Sequence, residues 1–342
     1  MSQPAGRVNH RSDPLAEPFL AADVGGTHAR IALVRGRRGA PRDIDVLAYR
    51  KFACAEFGGL AELLQTFVAT AATAPVRRCV IACAGEVIDG VVFNDNLAWR
   101  VDLHALREAL GFDELALLND FEALAYAVPG IDPADTHLLC GPAVPDEGPL
   151  LVVGPGTGLG AAVNLRGLPV PCVLATEAGQ IDLAPGTALE REVLARLAGE
   201  GGYVPYEKVL SGPGLLTLYT TLSALRGSPP VLAAPEAVTT AALAGTDAVA
   251  VETLEVFCAL LGGFVGNLAM LYRAKGGVYL AGGVLPGMRA FLARSRFTER
   301  FLDKGVMRNF LIRIPVRLIE HGRHGVLGAA HWCLDREKRE RD

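Results

Sequence analysis

The apolar and polar positions of the chain alternate between short, strand-like runs and longer runs with helical spacing. PFLAADV, where ordered structure begins at Phe19, is nearly all apolar and reads as a buried strand. GGT follows as a turn, where Gly25 and Gly26 permit the positive φ of a tight hairpin, and ARIALVRG is the returning strand. GLAELLQTFVATAA then has helical spacing, RRCVIACAG and GVVFND read as strands, and DLHALREALGF is an amphipathic helix. The strand ELALLND ends this half and the helix FEALAYAV leaves it.

A second half opens in the same manner. PLLVVGP is a strand, GTG a turn and LGAAVNLRG a returning strand, so two strand–glycine turn–strand units each begin an α/β segment. The remainder is mostly helical: LEREVLARLAGE, GPGLLTLYTTLSALR and the long run from Ala248 to Arg273. That run contains Gly262, Gly263 and Gly266, which weaken a helix unless close packing compensates. SPPVLAAPEAV reads as a proline-rich loop, KGGVYLAGGV as a strand, LPGMRAFLARS as a helix, IPVRLIE as a last strand and HGVLGAAHWCLDREKRERD as a last helix. Residues 1–18 are polar and read as a loose tail without an apolar leader core.

Composition narrows the function. With 342 residues, 51% hydrophobic and 20% charged, the chain has core material for two lobes of a soluble protein. A net charge of −4 gives no electrostatic grip on nucleic acid or on an anionic membrane, and Arg35, Arg37 and Arg38 read as a solvated loop. No apolar run reaches membrane-spanning length without glycine, proline or charge. The seven cysteines include no CxxC pair and sit mostly in apolar runs, which indicates buried thiols of a reducing, cytoplasmic compartment rather than a metal cluster.

Five segments carry candidate chemistry. Asp23-Val-Gly-Gly-Thr27 offers backbone N–H groups and the Thr27 hydroxyl to a phosphate, and Asp23 can hold Mg²⁺ through water; its bland alternative is a plain hairpin. Gly154-Pro-Gly-Thr-Gly-Leu-Gly160 is neither a P-loop nor a dinucleotide fingerprint, since strands flank it on both sides, but paired with the first hairpin it could clamp a triphosphate. Asp120, at a strand's C-terminal end, is either the base for a sugar hydroxyl or a helix cap. Glu177 and Glu207 could each accept two hydroxyl donors of a sugar, or be surface charge. Gly282 and Gly283 end a strand where an adenosine could approach the backbone, or make an ordinary strand-to-helix turn.

Taken in order, DVGGTHAR, LLNDFEALAYAVP, GPGTGLG, TEAGQIDLAP, YEKVLSGPGLLTLY and GGVYLAGGV resemble the bacterial glucokinase family of the hexokinase/actin-like ATPase superfamily, from about Phe19 to about Ala330. The resemblance implies an α/β, two-lobed actin-like ATPase (ribonuclease H-like) fold closing on a cleft. Residues 19–128 would form a small lobe, completed by 322–342, and 129–321 a large one. It implies ATP and Mg²⁺ as cofactors, a hexose (glucose) as substrate, and a homodimer with no nucleic-acid or membrane partner. By motif match, Asp120 is the catalytic base and Asn119 its neighbour on the sugar; Asn96, Glu177 and Glu207 match sugar-binding positions. Asp23, Gly25, Gly26 and Thr27, with Gly156, Thr157 and Gly158, match the phosphate loops. Two departures stand out: His28 where the family has Asn, and Gln180 where it has a sugar-binding His. Gln180 also supports an alternative, a sugar-sensing regulator on a kinase scaffold, although eighteen residues before Phe19 are too few for a helix-turn-helix domain.

Overall fold

The computed structural model describes residues 17–37, 40–93, 97, 99–166, 172–320 and 322–339. The expected tail over 1–18 falls outside this set apart from Glu17 and Pro18, and so do Arg38 and Asn96. The described chain divides into two compact units, one reaching to Ala123 and resuming at Gly325, the other Leu124–His324.

The first unit contains β1 (Phe19–Val24), β2 (His28–Arg37), β3 (Ala40–Ala53), α1 (Leu60–Ala71), β4 (Arg78–Cys83), β5 (Glu86–Ile88), β6 (Val91–Phe93), β7 (Val101–Asp102), α2 (Leu103–Leu110), β8 (Glu114–Leu118) and the start of α3 (Asp120–Ala127). Its main sheet has the order β3-β2-β1-β4-β8, and β5-β6-β7 form a separate small sheet. β1 is antiparallel to β2 and parallel to β4. The expected buried strand is found, and β1 is covered on both faces, with Asp23 its one half-buried residue. Leu20, Ala22 and Val24 pack with Leu63, Leu64 and Phe67 of α1, while Phe19 and Ala21 point into the opposite cluster. Two expectations are corrected. Neither Gly25 nor Gly26 takes a left-handed φ; the turn is closed instead by Gly25 N–H donating to the His28 carbonyl at 3.0 Å. Arg35 and Arg37 lie at the end of β2, where both pair with Asp45 of β3, because the hairpin continues past the apolar run.

The second unit follows with β9 (Thr136–Cys140), β10 (Leu150–Pro155), β11 (Leu159–Leu165), β12 (Cys172–Thr176), α4 (Ala188–Ala198), α5 (Gly212–Leu225), α6 (Pro235–Ala244), α7 (Ala248–Leu271), β13 (Val278–Leu280), α8 (Arg289–Arg294), α9 (Phe297–Leu302), α10 (Arg308–Leu311) and β14 (Val316–Ile319). Its sheet has the order β12-β11-β10-β13-β14-β9. Strands β12, β11, β10, β13 and β14 repeat the directions of β3, β2, β1, β4 and β8: an antiparallel trio continued by two parallel strands. The two similar hairpins of the sequence are therefore the leading strands of a duplicated sheet, the pattern of the actin-like ATPase fold. The supposed proline-rich loop is shorter than read, since Pro235 begins α6 at the position where a proline suits a helix start.

α7 is largely apolar and mostly buried, with Glu252 and Glu255 near its start; among the described residues it is the one helix long and apolar enough to cross a membrane. It packs in the core of its unit with α5, α6 and α9. A Cβ on Gly262 would lie 2.2 Å from the Phe297 carbonyl oxygen, and one on Gly266 2.7 Å from that of Phe301. Those glycines thus let α9 lie directly on the α7 backbone, which offsets their low helix propensity. Cys54, Cys79, Cys83 and Cys258 are buried as expected, whereas Cys172 on β12 is exposed. α11 (His324–Arg339) covers the second face of the first unit's sheet through Val326, Ala329 and Ala330.

Candidate functional site

In the first unit, parallel pairing gathers the candidate carboxylates at one edge. Asp23 pairs with Ala82, and Ala82 with Leu118, so the C-terminal ends of β1, β4 and β8 lie in one row. Asp120 follows two residues beyond that row as the first residue of α3. This is the edge at which open α/β sheets place ligands. Cys83, at the end of β4, senses both carboxylates: burial first, then Asp120 and Asp23, push its thiol up to about 12.

Asp23 is half-buried, and its carboxylate lies 3.5 Å from Nη1 of Arg30 on the adjacent strand. Burial raises its pKa, and Arg30 opposes that only in part. Gly25, Gly26 and Thr27 form the turn after it. Cys54 fixes this turn, donating its N–H to the Thr27 carbonyl at 2.9 Å and its Sγ–H to the Gly25 carbonyl at 3.4 Å. Partial desolvation, then Lys51 and Arg30, lower the pKa of His28. At the head of α3, Asn119 Oδ1 accepts from Phe121 N–H at 2.9 Å and from Glu122 N–H at 3.1 Å. Asn119 is thereby the helix cap, the duty that Asp120 would have had in its bland reading.

In the second unit, the Gly156–Gly158 turn joins β10 to β11, with Thr157 exposed at its tip and Gly156 N–H donating to the Gly158 carbonyl at 2.7 Å. Glu207, in the short 3₁₀ helix Tyr206–Lys208, reaches this turn: its Oε2 accepts from Leu159 N–H at 2.7 Å. Its Oε1 accepts from Nε2 of Gln180 at 3.0 Å. Gln180 closes the 3₁₀ helix Ala178–Gln180, and Glu177 stands exposed just before it. The two 3₁₀ segments are stitched together by Leu183 N–H to the Val204 carbonyl at 2.8 Å and Tyr206 N–H to the Ile181 carbonyl at 3.1 Å. Gly212 N–H donates to the Gly156 carbonyl at 2.8 Å. Gly282 and Gly283 come next to the same turn, since β13 runs beside β10 and Val284 N–H points to the Pro155 carbonyl at 3.5 Å.

The structure therefore brings Asp23, the Gly25–Thr27 turn, Asn119 and Asp120 to one edge of the first unit. It brings the Gly156–Gly158 turn, Gln180, Glu207 and the Gly282–Gly283 turn together in the second. Sequence reasoning missed the Leu159 N–H as a partner of Glu207 and Tyr203, whose hydroxyl donates to the Gln180 carbonyl. A backbone donor carries no signature in its side chain, and nothing in the sequence pattern singles out Tyr203. Among the described residues no group of three or more His, Cys, Asp and Glu side chains is placed to hold a metal ion by itself.

The glucokinase family model matches residues 20–336. A glucokinase-like protein of Xylella fastidiosa is 48% identical over 331 residues, covering 96% of this chain and 98% of that protein. The glucokinase of Saccharophagus degradans is 38% identical over 319 residues, covering 92% and 98%. Among solved structures, a glucokinase from an Antarctic psychrotroph superposes with a TM-score of 0.81 at 35% identity, covering 93% of this chain and 99% of that one.

Proposed function

Because the chain belongs to the glucokinase family, we propose that it transfers the γ-phosphoryl group of ATP to glucose, giving glucose 6-phosphate and ADP. The structural observation that carries this reading is the position of Asp120, at the ligand-binding edge of the sheet, with the helix-capping role taken by Asn119. A carboxylate relieved of capping suits a base. Asp120 accepts the proton of the sugar hydroxyl as its oxygen bonds to the γ-phosphorus and the bond to the β-phosphate oxygen breaks. Asn119 and Asn96, with Glu177, Gln180 and Glu207, hold the sugar hydroxyls in this proposal. Gly25, Gly26 and Thr27, with Gly156, Thr157 and Gly158, hold the phosphates through backbone and hydroxyl donors, and Gly282 and Gly283 flank the adenosine.

Asp23 suits Mg²⁺ that arrives with the nucleotide. A single carboxylate at a strand end is what an ion retaining most of its waters and phosphate ligands requires, and a neighbouring cation favours the ionised form that burial disfavours. When bound, Mg²⁺ neutralises charge on the β- and γ-phosphates. Glycolytic use of the product, a cytoplasmic setting and a homodimer belong to the same proposal; the deep burial of α7 supports a core helix rather than a membrane anchor. No feature of the fold or of the relatives favours the regulator reading.

ADP release from Mg·ATP, measured with a panel of hexoses, tests the proposal. Turnover with glucose is the expected result; release with no hexose in the panel overturns it.

A further inference from the structure

Glu207 stands in the family resemblance as a sugar ligand, yet its carboxylate is turned toward the glycine hairpin. Oε2 takes the N–H of Leu159, the residue that follows the Gly156–Gly158 turn. Oε1 is held by Gln180 Nε2, so both oxygens are fixed and the carboxylate has one orientation. The approach is close: a Cβ on Gly158 would lie 2.6 Å from Oε2, so the turn must carry glycine there for the carboxylate to reach the chain. On the other side of the turn, Gly212 N–H donates to the Gly156 carbonyl at 2.8 Å, and Ser211 caps α5 through Gly214 N–H. Ser211 Oγ–H in turn donates to the Glu207 carbonyl at 2.9 Å. The segment from Glu207 to Gly212 thus grips the turn at Gly156 and at Leu159.

From this we infer that Glu207 is a positioning residue for the nucleotide turn, acting through Leu159 N–H and itself oriented by Gln180. The inference deepens the kinase reading and rests on it for the identity of the ligand. An exposed hairpin tip whose backbone donors must face phosphate oxygens loses that geometry if its exit residue is released. A side chain that serves both the turn and the sugar would also make each substrate sensitive to the other, a coupling that is reciprocal.

Electrostatics gives the opposite sign, which makes the test decisive. Glu207 is an anion beside a turn meant for phosphates, so deleting its charge alone should tighten nucleotide binding. Binding of Mg·AMPPNP to the full chain, without sugar, is measured by calorimetry for the unsubstituted protein, Glu207→Ala and Glu207→Gln. Glu207→Ala is expected to bind about fivefold to tenfold more weakly, the loss of one charge-assisted bond that orders a loop. Glu207→Gln keeps an oxygen for Leu159 N–H, with the Gln180 amide rotated to present its own oxygen, and is expected to bind at least as tightly as the unsubstituted chain. Hydrogen exchange supplies a readout without nucleotide: the Leu159 amide should exchange faster in Glu207→Ala and not in Glu207→Gln, with α5 amides unchanged in both. Unchanged or tighter binding by Glu207→Ala, equal weakening by both variants, or a Leu159 amide indifferent to Glu207→Ala each overturns the inference, as does an unsubstituted chain that binds no AMPPNP. Hexose turnover tests the kinase reading separately and does not enter the comparison.

Discussion

Asn119 caps the helix that Asp120 begins. Its Oδ1 accepts from both Phe121 and Glu122 N–H groups, while Asp120 Oδ1 accepts from the adjoining Phe121 N–H at 2.9 Å. Helix capping and proton transfer are therefore assigned to neighbouring residues and can be separated. Asp120→Asn should lower hexose turnover by about 10²–10⁴-fold and leave the thermal midpoint in place. Asn119→Ala should cost about 1 kcal/mol of stability. Steady-state rates and thermal melts of the two variants check this, and near-normal turnover in Asp120→Asn would remove the base assignment.

Asp23 shows the converse relation. Burial outweighs Arg30 and raises its pKa, so the ionised carboxylate is held at some expense to the fold. A raised carboxylate pKa means that this penalty is full above the folded-state value, fades as the pH falls through it and is gone below the unfolded-state value. Asp23→Asn should accordingly leave the thermal midpoint at pH 7 unchanged or raised, while the Mg²⁺ concentration needed for half-maximal activity increases. Excess chelator should abolish the activity of the unsubstituted chain. Full activity in chelator, or an unshifted Mg²⁺ requirement in the variant, contradicts the role given to Asp23.

Gln180 donates one hydrogen bond to Glu207, where the family resemblance has a histidine. A misaimed hydrogen bond to a sugar hydroxyl is worth about 0.5–1.5 kcal/mol, several-fold to tenfold in affinity. Gln180→His is expected to lower KM for glucose by that factor and barely move KM for ATP, since an imidazole N–H can hold Glu207 as well. An unchanged glucose KM would remove position 180 from the sugar site.

The Glu190–Arg300 pair makes a stability prediction away from the chemistry. Glu190 is 2% exposed and Arg300 8%, and Oε2 of Glu190 also accepts from Gly186 and Thr187 N–H at the head of α4. Glu190→Ala leaves buried Arg300 with only the exposed Asp303 as counter-charge, 3.2 Å from Nη1, and strips Gly186 and Thr187 N–H of their acceptor, so it should cost about 3 kcal/mol. Chemical denaturation measures the loss; a change below 1 kcal/mol would place the pair with weak surface bridges.

Strong patterns in the sequence were those set by burial. β1 and β10 are legible because both faces are covered, which turns each into an apolar run ending in glycine. β3 carries no such pattern: APRDIDVLAYRKFA is an edge strand, where proline and charge are tolerated, and its partner β2 supplies the pairing. β9 and β12 escaped for the same reason, at the two edges of the second sheet. α9 is only six residues long and owes its helix to packing on α7. At the candidate site, carboxylates at strand ends and glycine turns could be read locally. The link from Glu207 to Leu159 spans 48 residues and ends on a backbone N–H, so no local pattern could contain it.

The burial of α7 has a consequence for biosynthesis. Its 24 residues leave the ribosome before α9, the helix that must lie on Gly262 and Gly266, has been made. Until then an apolar rod of membrane-spanning length is exposed on a nascent chain whose sheet still lacks β13 and β14. Self-association at that stage competes with folding, and it grows with concentration whereas docking of α9 within one chain does not. Recovery after dilution from denaturant should therefore decline steeply as protein concentration rises, and a holdase that masks α7 should restore it.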